Sequence, residues 1–263
     1  MRRCQSLIAL VVSCLLACPS QAQQMAQMGQ EAAEAVDNGT DPTKFSRLAE
    51  AKYEYLDLRD GFGSSTLRLS FTQPLGEKRD YSLRFRALAT SVDVFGNEKF
   101  GVGDVSVQLA HVFGLTKEHG FVAQGELFFN TAQRPELGSG KNAFKGTLIY
   151  ARFLTDGSIF APAFVQNNSF SGDKDRPDIN LTTLDFYYVP KFADSRNLMT
   201  FDPALNFDWE NDKRFFSLQV TAGRVIGKAF GGNAIAFIKP SVFVGGDRPG
   251  SWGLEVGYKV LGF

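Results

Sequence analysis

The chain has 263 residues with 28 basic and 28 acidic side chains, so its formal net charge at pH 7 is zero. This balance leaves no basic patch that would favour nucleic acid and no acidic run typical of a solvating tail. The unusual count is the 25 phenylalanines, since aromatic residues favour strands and the girdles where a membrane barrel crosses the lipid interfaces.

Residues 1–22 have the pattern of a secretory signal peptide. Arg2 and Arg3 form the basic start, residues 7–17 form the apolar core, and residues 20–22 supply the small side chains of a cleavage site. Such a core is too short to span a membrane as a helix after processing. The pattern therefore predicts export from the cytoplasm.

All three cysteines, Cys4, Cys14 and Cys18, lie inside this predicted signal. A mature chain without cysteine would have no disulfide, no zinc–thiolate site and no cysteine nucleophile. One alternative stays open. Leu15-Leu16-Ala17-Cys18 resembles a lipobox, which would make Cys18 a lipidated first residue.

Residues 23–45 form a separate N-terminal segment in the predicted organisation. Residues 24–36 are rich in Ala, Gln, Glu and Met, which favour a helix. The cluster at 37–42, which contains Gly39 and Pro42, ends that pattern. A plug helix, a periplasmic helix and a disordered tail all fit, and we favour a loosely held segment in the periplasm or at a lumen entrance.

Residues 46–263 alternate polar and apolar side chains in segments of about ten residues separated by turn clusters, which is the pattern of an all-β, antiparallel transmembrane barrel. Only helices and closed barrels satisfy the backbone in hydrocarbon, and the mature chain has no apolar run of the roughly 20 residues that a spanning helix needs. The alternative is a soluble β-sandwich rich in phenylalanine, but a sandwich of this length would be unusually large for a single domain. The predicted strands number twelve, at 47–58, 65–73, 80–90, 104–113, 121–130, 144–154, 159–169, 179–190, 197–208, 214–226, 234–244 and 252–263.

An even strand count places both ends of the barrel on the periplasmic side. The connections after odd strands include the longest ones, at 91–103, 131–143 and 170–178, and those after even strands are mostly short. Barrels combine short periplasmic turns with longer external loops. Asp173, Asp175, Arg176 and Asp178 are therefore predicted to form a self-paired external loop, which lacks the glycine and bidentate glutamate of an EF-hand calcium site.

The strand phase predicts a set of charged side chains that point into the lumen. On one wall lie Arg68, Arg84 and Arg86, beside Lys52 and Glu54 of the first strand. The predicted inward acidic residues elsewhere are Glu126, Asp185, Asp208 and Glu255. Opposed charged walls would create a transverse field that selects small polar or charged solutes. Alternatively, the charges pair with each other and fill a narrow barrel. A barrel of twelve strands is intermediate between small barrels filled by side chains and large barrels that enclose a water channel.

No catalytic, cofactor-binding or metal-binding residue is predicted. Gly138-Ser139-Gly140-Lys141 lacks the upstream Gly, the following Ser or Thr and the helix of a phosphate-binding loop. His111 and His119 are the two histidines, and the positions two residues from His111 hold Leu109 and Phe113 rather than a serine. A hydrolase needs a nucleophile, a base and an orienting group within reach, so we expect no enzyme.

Several short motifs stand out along roughly residues 65–263. They are Gly101-Val102-Gly103-Asp104, Thr131-Ala132, Leu137-Gly138-Ser139-Gly140-Lys141, Gly172-Asp173, Asp175-Arg176-Pro177-Asp178-Ile179-Asn180, Asp208-Trp209-Glu210, Gly223-Arg224-Val225 and Gly227-Lys228. Together they resemble a widespread family of Gram-negative outer-membrane transporters, the "MetA-pathway of phenol degradation" family, although Asp208 stands where the family pattern would have Asn. The resemblance implies an outer-membrane barrel and uptake of aromatic or other small hydrophobic compounds.

Taken together, these features predict an outer-membrane channel or diffusion transporter for small molecules, with outer-membrane lipid and small solutes as its partners. The aromatic end of the chain, Phe263, resembles the signal that barrel-assembly machinery recognises. A closed structural or adhesive barrel with functional external loops is the second hypothesis, and an outer-membrane hydrolase is the third.

Overall fold

The computed structural model describes residues 36–58, 62–94 and 97–263. The predicted signal peptide, its three cysteines and residues 23–35 of the predicted N-terminal segment lie outside the described residues. Residues 36–47, which precede the first strand, have no regular secondary structure apart from a bend at Gly39 and a turn at Pro42 and Thr43. No helix within the described residues is long and apolar enough to span a membrane.

The described residues form one antiparallel sheet and a short 3₁₀ turn at Pro135–Leu137. The strands are β1 Leu48–Leu58, β2 Gly63–Leu75, β3 Tyr81–Val94, β4 Asn97–Val102, β5 Val105–Phe113, β6 His119–Phe129, β7 Lys141–Phe153, β8 Ile159–Gly172, β9 Asn180–Val189, β10 Asn197–Asp208, β11 Lys213–Ala229, β12 Gly232–Val244 and β13 Gly250–Leu261.

The sheet closes on itself because β1 pairs with β2 on one side and with β13 on the other. Strands β4 and β5 both pair with β3, β4 along its second half and β5 along its first. The two therefore share one position in the barrel wall, interrupted at Gly103 and Asp104. The predicted fold, a closed antiparallel barrel of twelve strands, is confirmed.

Alternation along the strands separates an apolar outer face from a polar inner face. In β2, Leu67, Leu69 and Phe71 are 41, 51 and 40% exposed, whereas Ser70 and Thr72 are buried. Successive side chains of a strand point to opposite faces, so this pattern places the leucines and phenylalanine outward. The outer face therefore has the apolar character of a lipid-facing surface.

The start of β1 and the end of β13 lie at the same end of the barrel, which we call the terminal end. The turns at this end are 76–80, 114–118, 154–158, 190–196 and 230–231. The opposite end, the loop end, carries the longest connection, residues 130–140, and the loop at 173–179. In the stretch 91–103, predicted as a loop, residues 91–94 and 97–102 are strand instead, because the end of β3 pairs with β4. The hairpin of β3 and β4 is paired through Val94 and Asn97.

The chain end is fixed against the outer face of the barrel. Gly262 has a φ of 75°, a conformation that glycine adopts without steric cost. This turn brings the Phe263 ring to 6.4 Å from the Phe71 ring, and Arg47 lies 5.9 Å from the Phe263 ring centroid. A turn at Gly262 explains why Phe263 lies on the outward side despite falling on the opposite strand phase.

We predict that the loop end faces the cell exterior. A Lys174→Cys variant should then react in whole cells with a membrane-impermeant thiol reagent, because Lys174 is exposed in the 173–179 loop. Lys117→Cys, exposed in the 114–118 turn at the terminal end, is the matched control and should stay unlabelled until the cells are opened. The reverse labelling pattern would contradict the orientation.

Candidate functional site: the charged interior of the barrel

The inner wall formed by β1, β2 and β3 carries a cluster of basic side chains. Register pairs Lys52 with Arg68 across β1 and β2, and pairs Ser70 with Arg86 and Thr72 with Arg84 across β2 and β3. Alternate residues of a strand share a face, so Arg84 and Arg86 both point inward. The sequence-predicted basic group is therefore assembled on one wall.

Glu126 on β6 forms ion pairs with two basic side chains of the barrel interior. It forms an ion pair with Arg86 and a second with Lys145 Nζ at 2.7 Å, and it accepts a hydrogen bond from Ser106 Oγ at 2.7 Å. Its side chain is only 1% exposed. Glu126 therefore joins strands β3, β5, β6 and β7 through one buried carboxylate.

Glu255 on β13 has the same role next to β1. Its Oε2 lies 3.0 Å from Lys52 Nζ and 3.9 Å from an Arg68 nitrogen, and Arg68 also lies 3.5 Å from Glu54 Oε2. Lys52, Arg68 and Arg86 are thus ion-paired along the barrel wall, with carboxylates that lie one or two strands away.

Arg84 is the exception in the basic cluster. Its Nε donates a hydrogen bond to Thr72 Oγ1 at 2.7 Å. Among the described side chains, no carboxylate oxygen lies within the 4.0 Å of a salt bridge from this guanidinium. The two terminal nitrogens of Arg84 are therefore available to the space that they face.

That space is a cavity of about 280 Å³, which we call the basic cavity. Five basic side chains line it, together with two carboxylates and two apolar side chains. Its lining is Glu50, Lys52, Arg68, Arg84, Arg86, Leu88, Asp104, Ser106, Phe128 and Lys145. The sequence pattern did not identify Glu50 or Lys145 as site residues, although their inward strand phase was a usable signal.

A second cavity of about 170 Å³, the inner cavity, shares Glu50 and Lys52 with the basic cavity. Gly39 and Thr40 of the segment before β1 form part of its lining, together with Lys239, Lys259 and Asp202. The two cavities are therefore neighbours on either side of Glu50 and Lys52.

The segment before β1 is held against the terminal end of the barrel wall. Asn38 Nδ2 donates to the Ser195 and Asn197 carbonyls at 3.2 and 3.3 Å. Tyr187 donates to the Thr40 carbonyl at 3.1 Å, and Asn233 donates to that of Asp37 at 2.9 Å. These partners lie on β9, β10, β12 and the 190–196 turn, so residues 37–40 contact several parts of the wall.

Two predicted inward acids lie away from these ion pairs. Asp185 on β9 is a register neighbour of Ala163 and Ala204, and its buried Oδ1 has no hydrogen-bond partner among the residues that the structure describes. Asp208, the last residue of β10, accepts hydrogen bonds from the Glu210 and Asn211 backbone at 3.2 and 3.1 Å. Asp208 therefore caps the turn after β10.

At the loop end, Asp104 organises the 130–140 loop. Its carboxylate accepts hydrogen bonds from the backbone N–H groups of Thr131, Ala132 and Ser139 at 3.0, 3.1 and 2.8 Å. A Cβ at Gly138 would lie 2.8 Å from Asp104 Oδ1, so the close approach requires glycine. The role of Asp104 was not identified from the sequence because its partners lie about 30 residues away in the chain.

The loop at 173–179, which carries the residues predicted to be external, is bonded to the 130–140 loop. Arg176 Nη2 donates to the Gly138 carbonyl at 2.8 Å, and Lys141 Nζ lies 2.7 Å from Asp178 Oδ1. Hydrogen bonds from Lys141 and Ser169 lower the pKa of the exposed Asp178 carboxyl below its usual value. Within the loop, Asp173 Oδ1 accepts from the Asp175 backbone at 3.0 Å. The motif residues of both loops thus form one hydrogen-bonded cap.

The two histidines are placed on or near the outer surface at the terminal end. The His111 ring stacks on Tyr81 with centroids 4.0 Å apart, and His119 contacts Thr116 Oγ1 in the neighbouring turn. Within the described part of the chain, no group of three or more His, Cys, Asp or Glu side chains is placed to hold a metal ion.

No protein-family model matches the sequence, and no curated protein matches it. Solved structures do match its fold. An outer-membrane channel from Pseudomonas putida F1 superposes with a TM-score of 0.67 at 12% identity, over 86% of this chain and 99% of that one. The KdgM porin, solved with disordered oligogalacturonate, gives a TM-score of 0.56 at 12% identity over 81% and 98% of the two chains.

The NanC porin gives a TM-score of 0.55 at 11% identity, over 82% of this chain and 99% of the porin. Together with the closed strand order, these similarities define the class. The chain has the β-barrel fold of Gram-negative outer-membrane channels and porins.

Proposed function

We propose that this protein is a passive channel of the Gram-negative outer membrane through which small molecules diffuse. The observation that carries the proposal is the pair of neighbouring charged cavities, both lined by Glu50 and Lys52, inside a closed barrel. Polar side chains and cavities inside an apolar-faced barrel are the arrangement through which solutes cross without contacting lipid. The fold similarity to outer-membrane channels supports the same function.

The resemblance to the phenol-degradation family adds a substrate class, aromatic or other small hydrophobic compounds. Two features of the basic cavity support an apolar contribution to binding, the side chains of Leu88 and Phe128. Most of the lining is charged, however, so the interior favours solutes that also carry a polar or charged group.

A closed structural barrel is the second candidate, and two observations favour it. Arg68, Arg86 and Lys52 are ion-paired with inward carboxylates of nearby strands, and residues 37–40 contact the wall at the terminal end. In this alternative the hydrogen-bonded cap formed by the 130–140 and 173–179 loops is the functional surface.

Single-channel recording of the refolded protein in a planar bilayer separates the two candidates. A passive channel should give steady current steps whose size grows with salt concentration. A closed structural barrel should leave the bilayer silent at the same protein density. Silence from protein shown to be folded by its β-sheet circular dichroism would contradict the channel proposal.

We further propose that the chain end directs assembly of the barrel. Deleting Phe263 should lower the amount of barrel in the outer membrane while secretion across the inner membrane continues, because barrel-assembly machinery would no longer recognise the aromatic end. Phe71→Leu removes the ring that contacts Phe263 but keeps the chain end, and it serves as the control. Equal outer-membrane yields for the deletion and the unmodified protein in fractionated cells would contradict this role.

A further inference from the structure

We propose that the basic cavity is a binding site for small organic anions that combine a carboxylate with a compact apolar body. The inference rests on the proposed channel function, because it names the solute class that such a channel would take. It rests on two observations. One basic side chain of the cavity lacks a carboxylate partner among the described residues, and two apolar side chains lie in the same lining.

The cavity has more basic groups than free carboxylates. Of its two lining acids, Asp104 is occupied by the backbone N–H groups of the 130–140 loop, and Glu50 accepts a hydrogen bond from Ser70 Oγ at 3.1 Å. Glu126 is shared between two cations. Glu255 is likewise shared between Lys52 and Arg68. Four of the five basic groups are therefore ion-paired, and within the described part of the chain Arg84 is the one left to pair with an incoming carboxylate.

Arg84 is the group best placed to bind that anion. Its Nε donates to Thr72 Oγ1, its side chain lines the cavity, and its two terminal nitrogens remain for a ligand. A guanidinium in this state binds a carboxylate through two parallel hydrogen bonds. The basic neighbour Arg86 adds attraction but is already bound to Glu126.

The apolar side chains set the second requirement for the ligand. Leu88 and Phe128 line the same cavity, and Lys145 Nζ lies 4.9 Å from the centroid of the Phe128 ring. An inorganic anion would leave this apolar surface unused. A volume of about 280 Å³ falls at the small end of the range for ligand pockets, which suits a compact molecule such as an aromatic monocarboxylate.

Titration calorimetry of the refolded protein in detergent tests the site, with sodium benzoate, benzamide and inorganic phosphate as probes. Benzoate should bind, benzamide of the same size should not, and phosphate should bind more weakly than benzoate. Arg84→Gln should raise the benzoate Kd about tenfold or more, as expected for loss of a charge-assisted contact. Arg196→Gln, in the exposed 190–196 turn, is the control and should leave the Kd unchanged.

Bilayer recordings with the same probes show which of the two proposals fails, the anion site or the channel function. Benzoate should reduce the chloride current of the unmodified protein, and Arg84→Gln should weaken that block. A protein that conducts but binds benzoate and benzamide equally, or whose benzoate Kd is unchanged by Arg84→Gln, would contradict the anion site alone. Equal binding of phosphate and benzoate would overturn the apolar requirement. A protein that binds benzoate but never conducts would contradict the channel function alone.

Discussion

Replacing Glu126 by alanine is expected to lower the free energy of unfolding of the barrel by about 3–5 kcal/mol, the usual cost of removing one partner of a buried ion pair. The variant leaves Arg86 and Lys145 close together without the carboxylate that they share. Without the buried carboxylate between them, these two like charges repel each other at close range. Urea unfolding of the protein in lipid vesicles, followed by the fluorescence of its two tryptophans, measures the change.

Glu54→Ala is the matched control for this prediction. Glu54 also points inward and contacts one arginine at 3.5 Å, but its side chain is 38% exposed, compared with 1% for Glu126. Pairs that water can reach contribute about 0–1 kcal/mol. If the two variants lost the same stability, Glu126 would be solvated, and its role as a buried link between strands would be wrong.

Leu69→Arg should destabilise the barrel by about 2–4 kcal/mol, the range measured for arginine at the bilayer midplane of other barrels. Leu69 lies at the middle of β2 on the outer face and is 51% exposed. A guanidinium at this depth would face hydrocarbon. The same urea unfolding experiment in vesicles gives the change in free energy.

Leu75→Arg provides a control on the same face of the same strand. Leu75 is the last residue of β2 and is 38% exposed. At this distance from the centre we expect a cost of only about 0–1 kcal/mol, since the penalty falls towards the membrane interfaces. A cost at Leu75 as large as that at Leu69 would mean that the outer face of β2 is not embedded as the fold implies.

The barrel and its faces could be predicted from the sequence because both follow from a local rule. Side chains alternate with a period of two, and lipid and lumen demand opposite chemistry. The inward direction of Arg84 and the outward direction of Leu69 therefore required no knowledge of distant residues. The short interruption at Gly103 and Asp104 was harder, because the residues before it looked like a loop although they form a paired hairpin.

The contacts within the site could not be predicted in the same way, because they depend on register between distant strands. Glu126 binds Arg86, 40 residues earlier, and the sequence alone does not fix which strands stand side by side at that level. Asp208 has the inward phase of its strand, yet it lies where β10 ends, and the following turn takes its hydrogen bonds. Strand phase predicts whether a side chain points inward or outward. Its contact partners become known only from the register of the closed barrel.

The central claim is that small solutes cross the barrel past the basic cavity, and the reversal potential of the refolded protein under a KCl gradient tests it most directly. The account predicts a steady conductance that favours chloride over potassium, because basic side chains dominate the cavity lining. Arg84→Glu should shift the reversal potential towards potassium while the channel stays open, since Arg84 has no carboxylate partner among the described residues. A folded protein that carries no current, or a conducting Arg84→Glu variant with an unchanged reversal potential, would contradict it.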